Sequence, residues 1–274
     1  MKPLDPLKEI IHSYGRVLVA FSGGADSAFV LKICRDVLGP ENVKPVIAKS
    51  PSLPQSELEA ARCVAGEIGA EFLVIETREL ENPEYAANST RRCYFCKGEL
   101  YSCLLPLAEK FGMQFVVNGI NRDDLGDWRP GLRAAREYGI KSPLVEAEFG
   151  KEEIRFYSRQ LGLSTWSKPQ AACLSSRIPF GTKVTADRLR QIETGEETLK
   201  AFGFRTVRLR WMGRGGLSNL PSASVEVGQE EVGIFFQNQE IRESVTARLR
   251  QLGFKSIDLE LAGYRPGRFN PTGL

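Results

Sequence analysis

An apolar segment that stops abruptly at two glycines constrains the fold of this chain more than any other feature. Residues 17–27 read Val-Leu-Val-Ala-Phe-Ser-Gly-Gly-Ala-Asp-Ser. The β-branched start predicts a strand, and apolar periodicity over residues 26–38 predicts a helix. Glycines between them permit a tight turn in which backbone amides and the positive end of the helix converge. The segment therefore predicts a strand, a turn and a helix that bind an anion such as phosphate.

The spacing within this turn distinguishes it from the Walker A loop, because the chain has no Gly-x-x-x-x-Gly-Lys-Ser/Thr pattern. Ser-Gly-Gly-x-Asp-Ser instead resembles the PP-loop of ATP pyrophosphatases, enzymes that cleave ATP to AMP and pyrophosphate and adenylate a substrate. The alternative is a glycine-rich turn that only caps an ordinary helix.

Strand and helix signals alternate along the first half of the chain. Strands are expected at 17–21, 44–48, 72–76 and 115–118, and helices at 26–38, 55–68, 96–111, 133–138 and 151–161. This alternation predicts an α/β fold with a parallel sheet covered on both faces. Ligands of such sheets bind beyond the carboxyl ends of the strands, where the Ser-Gly-Gly turn would lie.

A second region follows a loop rich in proline and glycine that begins near residue 168. Residues 199–210 and 249–260 form a weak repeat, and each copy predicts a helix end, a glycine cap and an alternating strand. The expected domains are therefore 1–167, an α/β PP-loop domain, and 168–274, a smaller α+β domain. The core-facing strand positions are Val207, Leu209, Ile257, Leu259 and Leu261, with Arg208 and Arg210 on the opposite face. A solvated strand face is the alternative for these two arginines.

Charge and hydropathy exclude several classes of protein. The net charge of +3 is too small to indicate a nucleic-acid-binding protein by itself. No apolar run is long enough to span a bilayer, and the first residues lack the apolar part of a signal peptide. We therefore expect a cytoplasmic protein with no membrane partner. The only histidine, His12, falls in an amphipathic segment, so a Ser-His-Asp triad and a His-ligated zinc site are nearly excluded.

Two cysteine motifs stand out among six cysteines. Cys93 and Cys96 form a Cys-x-x-Cys pair, which suits a redox dithiol, half a zinc site, part of an iron–sulfur site or two inert thiols. Cys173 precedes Ser175, Ser176 and Arg177, with Lys168 nearby in the sequence. Cations and amide donors favour the nucleophilic thiolate, so Cys173 is a candidate nucleophile. The alternative is a small buried hydrophobic residue.

Beyond the PP-loop, six further motifs resemble the LarE family of ATP-dependent sulfur transferases, and the resemblance covers almost the whole chain. They are Ser-Pro-Ser-Leu-Pro at 50–54, Arg-Cys-Tyr-Phe-Cys-Lys at 92–97, Asn-Gly-Ile-Asn-Arg-Asp-Asp-Leu-Gly-Asp at 118–127, Arg-Pro-Gly-Leu-Arg at 129–133, Ala-Cys-Leu-Ser-Ser-Arg-Ile-Pro at 172–179, and Asp-Leu-Glu at 258–260 with Gly-Tyr-Arg at 263–265.

The resemblance implies adenylation of a carboxylate of a pyridinium dicarboxylate mononucleotide, followed by its conversion to a thiocarboxylate in nickel-pincer cofactor synthesis. Family members with one cysteine at the position of Cys173 give up its sulfur and keep dehydroalanine. Members with three cysteines are thought to bind a 4Fe–4S cluster that carries an extra sulfide. With Cys93, Cys96 and Cys173 present, the resemblance points to the cluster type and to an external sulfide donor.

The resemblance also assigns residues to ligands. Residues of the turn and of the Asp-Asp-Leu-Gly-Asp loop would bind ATP and Mg²⁺: Ser22, Gly23, Gly24, Asp26, Ser27, Gly119, Asp123 and Asp127. The arginines expected to bind the substrate phosphate are Arg177, Arg208 and Arg210. Glu196 matches a family acid at the centre of a homo-oligomer, where it would be a metal ligand; an exposed helix carboxylate is the alternative.

The chain departs from the family pattern at 211–213 and 223–226, where His-Gly and Ala-Arg-Ile-Glu are usual and this chain has Trp-Met-Gly and Ala-Ser-Val-Glu. Lys49 also replaces a common acid. Three other functions stay open. A tRNA thiolase would need a strongly basic groove or an RNA-binding appendage. An amidating ligase would need no cysteine. A non-catalytic nucleotide sensor would bind ATP without substrate-dependent release of pyrophosphate.

Overall fold

The computed structural model describes residues 1–126, 130–169, 171–213 and 221–269. The chain divides into two compact units, the first formed by residues 1–85 and 91–171 and the second by residues 86–90 and 172–274. The boundary expected from the sequence, after residue 167, lies close to the division after residue 171. The return of residues 86–90 to the second unit has no signal in the sequence.

The first unit is built on a four-stranded parallel sheet with the strand order β3-β2-β1-β4. The strands are β1 Val17–Ala20, β2 Val43–Lys49, β3 Leu73–Glu76 and β4 Phe115–Val117. The helices are α1 Asp5–Ser13, α2 Ala25–Leu38, α3 Gln55–Glu67, α4 Pro83–Ala86, α5 Arg92–Lys110, α6 Pro130–Glu137, α7 Pro143–Glu146 and α8 Lys151–Gln160. This arrangement confirms the predicted α/β PP-loop fold.

Alternation along β1 explains why both faces of this sheet are covered. Val17 and Val19 pack into one apolar cluster with Phe29 of α2. Leu18 packs into a second cluster with Leu104 of α5. All three strand residues are fully buried, as expected of a parallel sheet between two helical layers.

The start of α5 differs from the sequence prediction in a way that affects a candidate site. The helix begins at Arg92 rather than at residue 96. Cys93 and Cys96 therefore lie three residues apart on its first turns, where side chains at i and i+3 share a face.

The second unit contains a three-stranded sheet with the strand order β5-β6-β7. Strands β5 Val207–Gly213 and β6 Pro221–Val227 are antiparallel, whereas β6 and β7 Ser256–Leu259 are parallel. The helices are α9 Ala186–Ala201, α10 Ile234–Gln237 and α11 Gln239–Gln251. The small α+β architecture is confirmed.

The core positions predicted for these strands are only partly correct. Val207 and Leu209 are buried as predicted. The prediction for Leu261 is wrong, because β7 ends at Leu259 and the Leu261 side chain is 67% exposed. The Glu260 amide still donates to the Val225 carbonyl of β6. The chain then turns, with the Gly263 amide donating to the Glu260 carbonyl, before the Tyr264 amide donates to the Val227 carbonyl.

Over the described ranges, helices long and apolar enough to cross a membrane are absent.

Candidate functional site

The Ser-Gly-Gly turn joins β1 to α2, and hydrogen bonds of its own serines hold it together. The Ser27 hydroxyl accepts from the Ser22 amide at 3.1 Å, lies 2.9 Å from the Ser22 hydroxyl and donates to the Gly24 carbonyl at 3.1 Å. Gly23 has φ +70°, and a Cβ there would lie 2.6 Å from the Cβ of Ala61 on α3. The turn therefore needs glycine at 23 both for its conformation and for its packing.

Gly119 lies against the first turn of α2. A Cβ on Gly119 would lie 2.8 Å from the Ser27 amide nitrogen and 3.0 Å from the carbonyl carbon of Asp26. Just beyond it, the Asn121 side-chain amide donates to the Asp26 carboxylate at 3.4 Å. The structure thus brings the predicted residues Gly119, Asp26 and Ser27 together at the carboxyl end of the sheet.

Asp123 binds the start of α8. Its carboxylate accepts from the Lys151 amide at 2.7 Å. This backbone hydrogen bond, assisted by Arg122, holds the pKa of Asp123 below its ordinary value. A Cβ on Gly150 would lie 2.5 Å from Arg122 Nη2 and 2.6 Å from the Asp123 carboxylate, so both side chains would have to shift to admit one. The predicted residue Asp127 lies outside the described residues.

Two lysines that the sequence analysis did not assign to the turn contact it in the structure. The Lys151 ammonium forms an ion pair with Asp26. The Lys168 ammonium donates to the Gly23 carbonyl at 3.3 Å and to Glu57 at 2.9 Å. The sequence signal for these contacts is indirect: the turn lacks the lysine that a Walker A loop carries within its own motif.

The Cys93–Cys96 pair lies beside α6. Cys93 is exposed and Cys96 is partly buried. A Cβ on Gly131 of α6 would lie 3.7 Å from the Cys93 carbonyl oxygen. The Arg91 guanidinium stacks 5.2 Å from the ring of Phe95, and the Arg133 guanidinium lies 5.5 Å from the ring of Tyr94. Cys93 is therefore accessible, and arginines stack on the two aromatic residues that separate the cysteines.

Cys173 is exposed in the second unit, immediately before the short 3₁₀ helix Leu174–Arg177. Its carbonyl accepts from the Ser176 amide at 2.9 Å and from the Arg177 guanidinium at 2.8 Å. The backbone at Cys173 is thus fixed while its side chain stays accessible. In the described part of the chain, no three His, Cys, Asp or Glu side chains lie close enough together to hold a metal.

The three predicted phosphate-binding arginines have different surroundings. Arg177 pairs with Glu196 at 2.9 Å, and Arg210 pairs with Glu226 at 3.1 and 3.0 Å. Both arginines are buried. Glu196 is buried as well, so the alternative of an exposed carboxylate is wrong.

Arg208 has no carboxylate within 4.0 Å among the described residues. Its guanidinium donates to the Val207 carbonyl at 2.9 Å and lies 5.0 Å from the ring of Tyr264. Burial, and then the charge of Arg177, lower the pKa of Arg208. Arg208 is therefore a desolvated cation that has no paired carboxylate among the described residues of its unit, which suits an anionic ligand.

The arginine face of β5, opposite Val207 and Leu209, is covered at Arg210 rather than solvated. Arg210 is 5% exposed, and its guanidinium stacks 4.9 Å from the ring of Phe269. Arg268 bonds Glu226 at 2.5 Å and Glu260 at 2.9 Å. Residues that follow β7 thus pack over the arginine face.

Comparison with known proteins places the chain in a family. The NAD synthase family model matches residues 4–93, which include the Ser-Gly-Gly turn. An uncharacterized protein of Synechocystis sp. is 40% identical over 97% of this chain and 96% of its own length. An uncharacterized protein of Methanocaldococcus jannaschii is 28% identical over 91% of both chains.

A relative with an assigned name is the pyridinium-3,5-bisthiocarboxylic acid mononucleotide synthase of Lactiplantibacillus plantarum. It is 37% identical over 94% of this chain and 90% of its own length. Since both chains are covered almost end to end, the protein belongs to the same family as this synthase, the LarE family.

Proposed function

We propose that this protein is a cytoplasmic ATP-dependent sulfur transferase of nickel-pincer cofactor synthesis. It would adenylate a carboxylate of a pyridinium dicarboxylate mononucleotide and convert the acyl adenylate to a thiocarboxylate. The observation that carries the proposal is the near-full-length similarity to the Lactiplantibacillus plantarum synthase. The Ser-Gly-Gly turn, held together by hydrogen bonds of its own serines, supports it.

The first half of the reaction needs a site for ATP and Mg²⁺. The Ser22 and Ser27 hydroxyls, which lie side by side, and the backbone amides of the turn would donate hydrogen bonds to phosphate oxygens. Asp26 and Asp123 supply the hard oxygen ligands that Mg²⁺ prefers. A carboxylate oxygen of the substrate attacks the α-phosphorus of ATP, the bond to the β-phosphate breaks, and pyrophosphate leaves.

Arg208 is our candidate contact for the phosphate of the mononucleotide. Of the two arginines on β5, Arg208 and Arg210, only Arg208 lacks a carboxylate partner among the described residues. Arg177 and Arg210 are committed to Glu196 and Glu226, so we assign them to positioning Arg208 and the Cys173 loop. Of the three arginines predicted to bind the substrate phosphate, we therefore propose direct contact for Arg208 alone.

Sulfur transfer would follow by one of two routes. In the first, the Cys173 thiolate attacks the acyl carbon and AMP leaves; loss of the Cys173 α-proton then breaks the Cβ–S bond, which gives a thiocarboxylate and dehydroalanine. In the second, Cys93, Cys96 and Cys173 would hold a 4Fe–4S cluster, which supplies a replaceable sulfide when bound. Cys93 and Cys173 are exposed and Cys96 is partly buried, and this second route rests on the resemblance to the family.

The experiment combines a product assay with metal analysis. Anaerobically purified protein is incubated with ATP, Mg²⁺ and the dicarboxylate mononucleotide, and pyrophosphate and thiocarboxylate are measured. We expect pyrophosphate release only with the mononucleotide, and loss of thiocarboxylate but not of pyrophosphate in Cys173→Ala. Release of pyrophosphate without any sulfur-containing product in wild type would refute the sulfur transferase.

Iron and acid-labile sulfide analysis separates the two sulfur routes. About four irons per chain would support the cluster. Active protein without iron, lighter by one H₂S at Cys173 after turnover, would support the sacrificial route.

The resemblance to the family also extends the proposal to a homo-oligomer. Glu196 would be its metal ligand, but its carboxylate already accepts from Arg177 and from the Leu209 amide at 3.1 Å. A metal at Glu196 would therefore have to displace Arg177. Sedimentation with and without added divalent cation tests both the assembly and this exchange.

A further inference from the structure

We propose that Tyr264 is a positioning residue for substrate binding. Its ring holds the Arg208 guanidinium in place and leaves N–H donors of that guanidinium free for a phosphate. This role rests on the proposed function, since Arg208 is the arginine that we assign to the phosphate of the mononucleotide. Tyr264 itself lies well beyond β5 in the sequence, in the segment that follows β7.

Arg208 lacks the support that the other two arginines obtain from carboxylates. Arg177 and Arg210 each form two hydrogen bonds with one buried carboxylate. Those bonds fix the guanidinium plane but occupy its donors. Arg208 forms no ion pair among the described residues. A long side chain that nothing restrains loses rotamer freedom when it binds a ligand, which lowers affinity.

The ring of Tyr264 restrains Arg208 in a different way. The Arg208 guanidinium lies over this ring, 5.0 Å from its centroid, and one guanidinium nitrogen donates to the Val207 carbonyl at 2.9 Å. An aromatic face attracts a guanidinium without accepting its edge N–H groups, and a neutral ring adds no charge that competes with phosphate. The contact therefore limits the motion of Arg208 while its charge and its remaining donors stay available.

The backbone anchors Tyr264 beside the end of β6. The Tyr264 amide donates to the Val227 carbonyl at 2.7 Å. Val227 is the last residue of β6 and pairs with Val207, the residue that precedes Arg208 on β5. The ring is therefore attached one strand away from the arginine that it contacts.

Gly263 permits this close approach of the segment to β6. It has φ +71°, and a Cβ there would lie 2.9 Å from Gln229 Cα and 3.1 Å from the Val227 carbonyl oxygen. Its amide donates to the Glu260 carbonyl at 3.1 Å, which closes the turn after β7. A larger residue at 263 would push the following tyrosine away from β6.

The electrostatic surroundings of Arg208 favour a bound anion. Burial, and then the charge of Arg177, lower the pKa of Arg208, whereas Glu196 and Tyr264 act in the opposite direction. The Glu196 carboxylate already accepts from Arg177 and from the Leu209 amide. A phosphate that approaches the free edge of the guanidinium would compensate this desolvated charge.

The test begins with two substitutions of the tyrosine. Tyr264→Leu removes the ring, and Tyr264→Phe keeps it; pyrophosphate release gives kcat and both KM values. We expect Tyr264→Leu to raise the KM for the mononucleotide roughly three- to tenfold, as loss of a cation–π contact does. Its kcat and its KM for ATP should stay unchanged, because only binding of the mononucleotide is weakened. Tyr264→Phe should stay within about twofold of wild type.

Coupling to Arg208 distinguishes positioning from a merely structural role. In Arg208→Met the ring has no guanidinium to hold, so adding Tyr264→Leu should raise the KM for the mononucleotide no further. A residue that only supports the fold would raise this KM by the same factor in both backgrounds, since independent effects add as free energies. With the dephosphorylated analogue, Tyr264→Leu should have the KM of wild type.

Phe111→Leu is the matched control, because the Phe111 ring also contacts a cation, the Lys44 ammonium at 4.9 Å. Lys44 lies at the amino end of β2 in the first unit. Phe111→Leu should leave both KM values unchanged. If Tyr264→Leu yields too little folded protein, Tyr264→Met takes its place in the same cycle, since its flexible side chain fills the space without a ring.

Three results would overturn the role of Tyr264. They are a KM for the mononucleotide that does not rise in Tyr264→Leu, a rise of equal size in the Arg208→Met background, and a Tyr264→Phe variant as impaired as Tyr264→Leu.

Calorimetric titration with the mononucleotide separates this role from the proposed function. If wild type binds the mononucleotide but releases no pyrophosphate, the proposed reaction fails, and the same cycle measured as affinities still decides the role of Tyr264. If wild type turns over and Tyr264→Leu keeps the wild-type KM, the role of Tyr264 fails while the reaction stands.

Discussion

Arg177 and Glu196 form a buried ion pair that anchors the loop of Cys173. The Arg177 Nε and Nη2 atoms lie 2.9 and 3.1 Å from the two carboxylate oxygens, and the side chains are only 3% and 6% exposed. The remaining Nη1 donates to the carbonyls of Ala172 and Cys173. One guanidinium therefore links helix α9 to the backbone on which the candidate nucleophile lies.

Arg177→Met should destabilise the second unit strongly. The substitution leaves the Glu196 carboxylate buried without its counter-ion, which typically costs about 3–5 kcal/mol. Urea unfolding monitored by tryptophan fluorescence measures the loss. Arg177→Met combined with Glu196→Met should recover much of it, because the unpaired charge is removed.

The control for this prediction is the exposed pair of Lys2 and Glu148, 2.7 Å apart. Glu148→Gln should leave the unfolding midpoint unchanged. A single Arg177 variant as stable as wild type would show that the pair is not a structural anchor.

The fold could be predicted because its signals are local. Apolar runs, the glycines of the turn and the alternation of strands with helices specify β1, α2 and the parallel sheet. The same reasoning correctly placed Val207 and Leu209 in the core. It failed for Leu261, because an alternating pattern does not specify that β7 ends at Leu259 and that the chain turns there.

The partners within the sites could not be predicted, since they depend on contacts between distant segments. The Lys151–Asp26 pair joins residues 125 positions apart, and the Lys168–Glu57 pair joins residues 111 apart. Arg177 and Arg210 look like Arg208 in the sequence, but only tertiary structure shows that both already have carboxylate partners. Motifs therefore indicated which residues carry chemistry and not which of them remain available to a ligand.

Arg208→Met should weaken substrate binding selectively. The guanidinium would lose a charge-assisted contact with the substrate phosphate, so the KM for the mononucleotide should rise roughly tenfold or more. The KM for ATP should stay unchanged. Steady-state pyrophosphate release measures both constants.

A substrate analogue without its phosphate tests the assignment of Arg208 directly. Wild type and Arg208→Met should use the dephosphorylated analogue equally well. If the KM of the variant rises by the same factor for the mononucleotide and for the analogue, Arg208 does not contact the phosphate.

Gly119→Ala should impair ATP binding through packing. The new Cβ would lie 2.8 Å from the Ser27 amide nitrogen, so the turn or β4 must shift, at a cost of typically about 1–3 kcal/mol. We expect a lower unfolding midpoint and weaker ATP binding by calorimetry. Gly66→Ala is the matched control, because nothing lies within 4 Å of a Cβ at this position of α3.

Alanine at Gly66 should stabilise the helix by up to about 1 kcal/mol and leave ATP affinity unchanged. If Gly119→Ala bound ATP as tightly as this control, close packing of Gly119 against α2 would not matter for the site.

The cysteines should differ sharply in reactivity. Burial raises the pKa of Cys34 well above its ordinary value, so its thiol stays protonated as the pH rises from 7 to 9 and should not react with iodoacetamide in the folded protein. Cys63, Cys93 and Cys173 are exposed and should be alkylated, as read by peptide mass spectrometry. Burial also raises the pKa of Cys103, which should react slowly.

The same labelling can detect a shared cluster at Cys93, Cys96 and Cys173. After anaerobic reconstitution with iron and sulfide, these three thiols should lose reactivity together, because thiolates bound to iron are poor nucleophiles. Cys63 lies outside the proposed ligand set and is exposed, so it should react as before and serves as the internal control. Protection of Cys93 and Cys96 with Cys173 still reactive would contradict the three-cysteine ligand set and leave Cys173 as the sulfur donor itself.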